Sequence, residues 1–311
     1  MTVEVLDAFT ALVKSQADRD IILISRAISR ELHYDLSKLV ASGRQHDLCT
    51  VFLTTRGGDP DGGYRMARCL QHHYKHIRLV IPSLCKSAGT LVAIGAHELV
   101  IGDLGELGPL DIQVRKSSEL EERSSGLDII QALGAAEGHA HQAFQSALIS
   151  IRRGGRLSTK LAGEFAANLA IGMVAPLYNQ IDPNRLGEMQ RAMKIATDYG
   201  ERLNRASKAL RPDALDTLVS EYPSHSFVID RKEAQDLFTS VQKPTAEEAE
   251  FASQLWHILG EQMGIGPIFV RDDKPKTGVD HDGIIEGNVE HEPEAEPGEV
   301  EPAPGAPDAQ G

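Results

Sequence analysis

The stretch from Pro82 to Glu98 reads PSLCKSAGTLVAIGAHE, in which one apolar run stops at a small polar cluster and a second apolar run begins after a glycine. Ser87 lies at this break. The pattern predicts a buried strand that ends and a buried helix that begins within a few residues. Because serine is an ordinary cap at a helix N-terminus, this stretch alone gives Ser87 no chemical role.

The sequence on either side of this break alternates short apolar strands with helical stretches. The expected strands are 20–26, 48–55, 76–82 and 98–102, and the expected helices between them are 31–42, 62–74 and 87–96. This alternation predicts βαβ crossovers and a mostly parallel sheet. From 127 to 210 the pattern is long and helical, so we expect an α/β fold with a helical second half, in which Leu169, Ile171 and Met173 lie in the core at helical spacing.

A glycine-rich loop follows the second expected strand, where Thr54 to Gly63 reads TTRGGDPDGG. Glycines at a strand end allow backbone amides to approach a bound group closely, as a backbone oxyanion hole requires. A phosphate-binding loop or a simple tight turn would also explain the pair Gly57-Gly58. The loop is neither a Walker sequence nor a clean GxGxxG, so both nucleotide interpretations are weak.

The glycine loop and Ser87 follow consecutive strands of the expected parallel sheet. Consecutive strand ends lie at the same edge of such a sheet, so the amides of Gly57 and Gly58 can meet the Ser87 hydroxyl in one crevice. The helix that begins after Ser87 adds the free amide of Ala88 and the positive end of its dipole. Together these features favour a nucleophilic serine over a cap.

Three segments of the sequence resemble one family: TTRGGDPDGGYRMARCL, KSAGTLVAIGAHELVIGDLGELGPLDIQ and YPSHSFVIDRKEA. They are similar to the Clp protease/crotonase fold of Clp proteolytic subunits and signal peptide peptidases, and most similar to the serine dehydrogenase proteinase (SDH) family. The resemblance implies a (ββα) superhelix and a homo-oligomeric serine peptidase that acts on peptide or protein substrates without a metal or organic cofactor. It places Ser87 as nucleophile, with the amides of Gly57 or Gly58 and of Ala88 in the oxyanion hole.

The general base is the point at which the sequence departs from the Ser-His-Asp pattern of the Clp subunits. Where those subunits have a histidine, this chain has Asp111. His225 is the preferred base, since an imidazole can accept the hydroxyl proton at neutral pH, and Asp111 could orient it. His225 could equally be a surface or capping group. A lysine base of the signal peptide peptidase type is the other option, with Lys86 and Lys116 as candidates; Lys86 is expected to point away from Ser87, and Lys116 would have to be buried to lose its proton.

Two other functions fit parts of the sequence. A crotonase-like acyl-CoA enzyme would use the paired amides to stabilise an enolate, but it would need a carboxylate in the crevice and gives no reason for a serine at position 87. A catalytically inactive scaffold or binding protein of the same fold would explain the missing histidine near Asp111.

Composition separates a globular part, expected at 1–270, from a tail at 271–311 that is rich in Pro, Gly and Glu and expected to be disordered. The formal net charge is −13, but ten acidic residues and no Lys or Arg lie between Gly278 and Gly311. The rest of the chain, with 32 basic and 35 acidic residues, gives no electrostatic reason to expect a nucleic-acid partner. The sequence has no membrane-spanning run and no signal peptide, so we expect a cytoplasmic protein that does not insert into a membrane. Its three cysteines lack metal-ligand spacing and are expected to be small buried residues.

Overall fold

A six-stranded sheet forms the centre of the protein. The computed structural model describes residues 3–110, 113–115, 123–155, 157–179, 182–259 and 264–271, which lie within one compact unit, Met1–Asp272. From residue 272 onward, the tail expected from the sequence lies outside the described residues. The described strands are β1 (Arg19–Ser25), β2 (Leu48–Thr54), β3 (His76–Ile81), β4 (Leu84–Cys85), β5 (Glu98–Ile101), β6 (Glu106–Leu107), β7 (Gln113–Arg115), β8 (Arg123–Ser125), β9 (Val241–Gln242) and β10 (Ile265–Phe269).

The helices surround this sheet and make up most of the second half of the described chain. They are α1 (Val3–Ser15), α2 (Arg30–Gly43), α3 (Pro60–His73), α4 (Ala88–Gly95), α5 (Gly126–Gly155), α6 (Thr159–Tyr178), α7 (Pro183–Ser207), α8 (Ala214–Asp216), α9 (Arg231–Leu237), α10 (Ala246–Gln254) and α11 (Trp256–Leu259), with a π-helix at Thr217–Glu221.

The main sheet has the strand order β10-β1-β2-β3-β5-β9. Strands β1, β2, β3, β5 and β9 are parallel to one another, and β10 adds an antiparallel edge beside β1. The carboxyl ends of the five parallel strands therefore meet at one edge of the sheet. The α/β class, the mostly parallel sheet and the helical second half predicted from the sequence are confirmed.

Both faces of the sheet are covered by helices, and the strands are accordingly apolar on both sides. On one face, side chains such as Ile22, Val51 and Leu79 belong to a core that includes residues of α2, α3, α4 and α7. On the other face, Phe52 and its neighbours belong to a second, smaller core with residues of α1, α10 and α11. Successive side chains along one of these strands therefore alternate between the two cores.

The helices α5 and α6 pack against each other through small residues of α6 and leave another side of α6 exposed. Ala162, Ala166, Ala170 and Val174 are buried, whereas Leu161, Phe165, Leu169 and Met173, which also follow each other at intervals of four, are 39–60% exposed. The prediction that Leu169, Ile171 and Met173 lie in the core is therefore wrong, because helical periodicity does not say which side of a helix has a partner. None of the helices among the described residues is long and apolar enough to cross a membrane.

Candidate active site

Ser87 occupies the turn that joins β4 to α4, and its backbone is in an unusual conformation. Its φ is 51° and its ψ is −113°. The other non-glycine residues with positive φ in the described chain, Lys208 and Asp213, have ψ values of 34° and −6°. Those two lie in or beside the small left-handed helical region, and Ser87 lies well outside it. Backbone strain of this kind costs about 1–3 kcal/mol and is concentrated at functional sites.

The capping role that the sequence left open for Ser87 is not realised. The Ser87 side chain makes no capping hydrogen bond to α4. By contrast, Ser29 caps α2, because its hydroxyl accepts a hydrogen bond from the backbone N–H of Leu32 at 3.1 Å. The half-buried Ser87 hydroxyl therefore does not satisfy an amide of the helix that it precedes.

The glycine loop, residues 55–59, lies directly against Ser87. A methyl group added at Gly57 would come within 2.9 Å of Ser87 Cβ and 2.8 Å of the Lys86 carbonyl oxygen. Gly57 also has a φ of 96°, which side-chain-bearing residues rarely adopt. The close approach of the two strand ends predicted from the sequence is thus present, and it requires the absence of a side chain at position 57.

Backbone pairing holds the glycine loop between two neighbours. On one side, Thr55 N–H donates to the Leu84 carbonyl at 2.7 Å, and Lys86 N–H donates to the Thr55 carbonyl at 3.0 Å. On the other side, Ile28 receives a hydrogen bond from the N–H of Asp59 and donates one to the carbonyl of Gly57, both at 2.9 Å. The loop thus continues the parallel pairing beyond the end of β2.

The backbone N–H groups near Ser87 differ in their hydrogen-bond acceptors. The N–H of Gly57 donates to the Thr55 hydroxyl at 3.1 Å. Gly58 is exposed, and because its two neighbours make the hydrogen bonds to Ile28, its own N–H is directed away from Ile28. The N–H of Ala88, the first residue of α4, belongs to the helix's first turn and has no acceptor within the helix. The amides of Gly58 and Ala88 are therefore better placed than that of Gly57 to bind an anion.

Lys86 is a partly buried cation whose contacts are made with β6 and with the segment that carries Phe227. Its ammonium group is 2.8 Å from Glu106 Oε1 and donates to the carbonyl oxygens of Leu107, at 3.0 Å, and Phe227, at 3.1 Å. An ammonium group has three N–H donors, and these three acceptors account for all of them. With its three donors engaged by these acceptors, the Lys86 ammonium group has a structural role and is not directed at the Ser87 hydroxyl.

His225 lies in a turn that one of these contacts joins to Lys86, the residue before Ser87. The turn is closed by a hydrogen bond of 3.1 Å from Phe227 N–H to the Ser224 carbonyl, and the Phe227 carbonyl accepts from Lys86, the residue before Ser87. Two residues beyond Phe227, Ile229 pairs with Leu107 in an antiparallel bridge. The half-buried His225 thus lies on a segment that is fixed beside β6, two residues before Phe227, whose carbonyl contacts Lys86.

Sequence reasoning missed the residues that support this arrangement. Thr90, buried in α4, donates through its hydroxyl to the Gly108 carbonyl at 2.7 Å and so joins the helix to the segment after β6. Asp61, in the first turn of α3, accepts a hydrogen bond of 2.7 Å from the Tyr199 hydroxyl of α7 and is ion-paired with Arg30. The doubled threonine before the glycine pair was a visible signal for Thr55, and Thr90 ends the motif KSAGT, but nothing in the sequence indicated Tyr199.

Two predicted site residues, Asp111 and Lys116, lie outside the described residues. Within the described chain, no group of three or more His, Cys, Asp and Glu side chains is arranged to hold a metal ion. The thiols of Cys49, Cys69 and Cys85 are free; Cys49 and Cys85 are buried and Cys69 is partly buried.

Comparison with known proteins shows a distant likeness of structure. No protein-family model matches the chain, and no curated protein matches it either. Among solved structures, two point mutants of the 1510-N membrane-bound stomatin-specific protease, one of them in complex with a substrate peptide, match at TM-scores of 0.31 with 16% and 15% identity. The first alignment covers 47% of this chain and 64% of that protease, and the second covers 57% and 83%. A mutant of ClpP1 from Listeria monocytogenes matches at 0.25 with 18% identity, over 52% of this chain and 92% of that one.

Proposed function

We propose that this protein is a serine-type peptidase in which Ser87 is the nucleophile. The observation that carries the proposal is the strained, positive-φ backbone of Ser87 at the start of α4. The Ser87 side chain makes no capping hydrogen bond and lies against a glycine that has no room for a side chain. Backbone strain at a residue that does not stabilise the helix by capping it is expected where the strained conformation has a catalytic role.

The proposed reaction is acyl transfer to Ser87. The Ser87 oxygen attacks the carbonyl carbon of a peptide bond as its proton passes to His225, and the carbonyl oxygen becomes negatively charged. The N–H groups of Gly58 and Ala88 stabilise this oxyanion, with Gly57 supplying the close approach. His225 then gives its proton to the departing amine, and water releases the acyl group by the same steps in reverse. Asp111 is proposed to orient His225.

The finer family assignment is part of the same proposal. The motifs TTRGGDPDGG and KSAGT support membership of the serine dehydrogenase proteinase family, with peptides or proteins as substrates. A crotonase-like acyl-CoA enzyme would use the same two amides but not the serine, and an inactive scaffold would use neither. Labelling by a fluorophosphonate probe, which reacts with activated serines, tests the peptidase against both; an unlabelled protein that turns over a CoA thioester would support the crotonase function instead.

Replacing His225 by alanine is expected to slow fluorophosphonate labelling about a hundredfold or more, because a positioned base contributes about 10²–10⁴ to such reactions. Labelling rates of the purified variant, measured against wild type, check this. The control is His72→Ala, which removes an exposed histidine at the end of α3 and should leave the rate unchanged. An unchanged rate for His225→Ala would remove it from the mechanism and make Lys116→Met the next variant to measure.

Gly57→Ala is expected to lower both labelling and stability. The added methyl group would overlap Ser87 Cβ and the Lys86 carbonyl, and alanine is strained at a φ of 96°. We expect a loss of about 1–3 kcal/mol in unfolding free energy and of about 10²-fold in labelling rate, because displacing Ser87 from its reactive position by about 1 Å has an effect of that size. Chemical denaturation and probe kinetics measure the two.

The matched control for Gly57→Ala is Gly163→Ala in α6. A methyl group there meets nothing within 4 Å, so this variant should be stabilised by about 0.5–1 kcal/mol and labelled like wild type. If both glycine variants behave alike, the glycine loop has no steric role at Ser87.

We further propose that the chain self-associates through the exposed stripe of α6, formed by Leu161, Phe165, Leu169 and Met173. The sequence from Phe165 to Tyr178 contains no charged residue, so two copies can meet along it without like-charge repulsion. Helix α6 has 20 residues, or about 30 Å of length, which makes the stripe a continuous apolar surface of the kind that marks interfaces. A stripe on one side of a helix can pair with itself about a two-fold axis.

Phe165→Glu is expected to shift the protein to a smaller species in sedimentation velocity, because it places a charge in the middle of this stripe. Phe165 is 50% exposed, so the fold of the single chain should survive the change. Lys160→Glu, at the exposed start of the same helix, is the control and should sediment like wild type. A wild-type protein that is already monomeric at micromolar concentration would refute the interface.

A further inference from the structure

A second recess lies at the same edge of the sheet as Ser87 but on the opposite face. It is a cavity of about 480 Å³, within the range of small-molecule sites. Its floor is formed where β3, β5 and β9 end, and its walls by α10 and by Trp256 at the start of α11. The lining residues are Val80, Pro82, Gly102, Asp103, Leu104, Arg231, Lys243, Pro244, Glu248, Ala249, Ala252, Ser253 and Trp256. None of the peptidase-site residues that the structure describes is among them.

The walls of this cavity are mainly apolar and include side chains that are unusually exposed for their type. Leu104 is 65% exposed and Trp256 is 40% exposed, and they line the cavity with Pro82, Pro244 and Ala252. Large apolar side chains that converge on a recess at the carboxyl ends of parallel strands are typical of a ligand pocket. The apolar part of a ligand would thus gain contact area on all of these side chains.

Two cations line the same cavity, and they differ in their partners. The Arg231 guanidinium is engaged, since it donates to the Ile101 carbonyl and to Asp103 Oδ1, both at 2.8 Å. Lys243 is exposed, and within the described chain no carboxylate lies at ion-pair distance from its ammonium group. Lys243 is therefore the cation that remains available to an incoming anion.

The buried carboxylate of the cavity does not oppose such an anion. Glu248 accepts hydrogen bonds from Gln16 and Arg78 on one oxygen and from Arg78 and Thr245 on the other, at 2.8–2.9 Å. Its charge is thus compensated by the Arg78 guanidinium. The exposed carboxylate, that of Asp103, is bonded to Arg231.

We propose that this cavity binds a carboxylate carried on an apolar group, with Lys243 holding the carboxylate and Trp256, Leu104 and Pro82 holding the apolar part. Two kinds of molecule have this chemistry: a free aliphatic acid, and the C-terminus of a peptide that ends in apolar residues. This proposed binding site does not depend on the proposed peptidase reaction, so the test of one does not decide the other.

Trp256 provides the measurement, because it is the single tryptophan of the chain. Octanoate and N-acetyl-Leu-Phe are titrated into the full-length protein while tryptophan emission is recorded, with octanol and N-acetyl-Leu-Phe amide as uncharged counterparts. We expect a saturable change with at least one of the acids at about millimolar concentration or below, and binding at least about tenfold weaker for its uncharged counterpart. A response to octanoate alone identifies the aliphatic acid, and one to the peptide acid alone identifies the peptide terminus.

Two variants and one control complete the test. Lys243→Gln should weaken binding of the acid about tenfold or more, and Ala249→Phe, which fills the cavity from α10, should abolish it. Lys232→Gln is the control, since Lys232 is exposed on α9 nearby but does not line this cavity. Equal binding of acids and uncharged counterparts, an unaffected Lys243→Gln variant, or no saturable change with either acid would each overturn the proposal.

Discussion

Ser87→Ala is expected to eliminate covalent labelling by a fluorophosphonate probe and to lower peptide hydrolysis at least about a thousandfold. The probe and the substrate carbonyl are both attacked by the Ser87 oxygen, and the substitution removes that atom while keeping Cβ. Because the Ser87 side chain does not cap α4, the unfolding free energy should change by no more than about 0.5 kcal/mol. Labelling is read by intact-protein mass spectrometry and stability by chemical denaturation.

The matched control is Ser29→Ala, which removes a serine that does cap a helix. Its hydroxyl accepts from Leu32 N–H, so alanine there should cost about 1 kcal/mol of stability and leave labelling unchanged. The two serines should thus show opposite behaviour, with Ser87 mattering for reactivity and Ser29 for stability. If Ser87→Ala is labelled like wild type, or loses stability as Ser29→Ala does, Ser87 is a structural residue and the peptidase proposal fails.

The sheet could be predicted from the sequence because its strands carry a strong local signal. The expected strands 20–26, 48–55, 76–82 and 98–102 each match an observed strand to within about one residue at either end. These strands are buried on both faces, so each is a short, nearly continuous apolar run bounded by polar or glycine residues. Parallel order then follows from the helices between them.

The elements that were missed carry weak or non-local signals. Strand β9 has only two residues, and β10, which reads IGPIF, contains a glycine and a proline, two residues that are unfavourable in strands. Each forms a strand mainly because it pairs with a strand far away along the chain. The same holds for the site. Ser87 and the glycine pair stood out by position, but the Lys86 contact to the His225 turn joins residues 141 positions apart. Tertiary packing sets such contacts, and no local pattern encodes them.

Glu248→Gln is expected to lower the unfolding free energy by about 3 kcal/mol near neutral pH. The Glu248 side chain is fully buried and forms a two-point ion pair with the Arg78 guanidinium at 2.8 and 2.9 Å. Removing one partner of a buried pair costs about 3–5 kcal/mol. We expect the lower end, because Arg78 keeps a second carboxylate, Glu98, at 2.6 Å. Urea denaturation followed by circular dichroism measures the loss.

The control for Glu248→Gln is Glu250→Gln, two residues further along α10. Glu250 is exposed and accepts a hydrogen bond from Gln254, so its replacement should change stability by no more than about 0.5 kcal/mol. Equal stability of the Glu248 and Glu250 variants at neutral pH would show that the buried pair contributes nothing measurable to the fold.

The loss caused by Glu248→Gln is also expected to depend on pH, and the direction follows from the pKa of Glu248. Burial alone would raise this pKa, but hydrogen bonds from Arg78 and Thr245 outweigh it and hold the pKa below its ordinary value of 4.5. A carboxyl whose pKa is depressed by folding contributes stability that is complete above the unfolded-state pKa and disappears as the pH falls through the folded-state pKa. Glutamine does not titrate. The difference in unfolding free energy between wild type and Glu248→Gln should therefore be constant above about pH 4.5 and shrink below it. A difference that grows on acidification would mean that folding raises the Glu248 pKa, and that burial, not Arg78, controls this carboxylate.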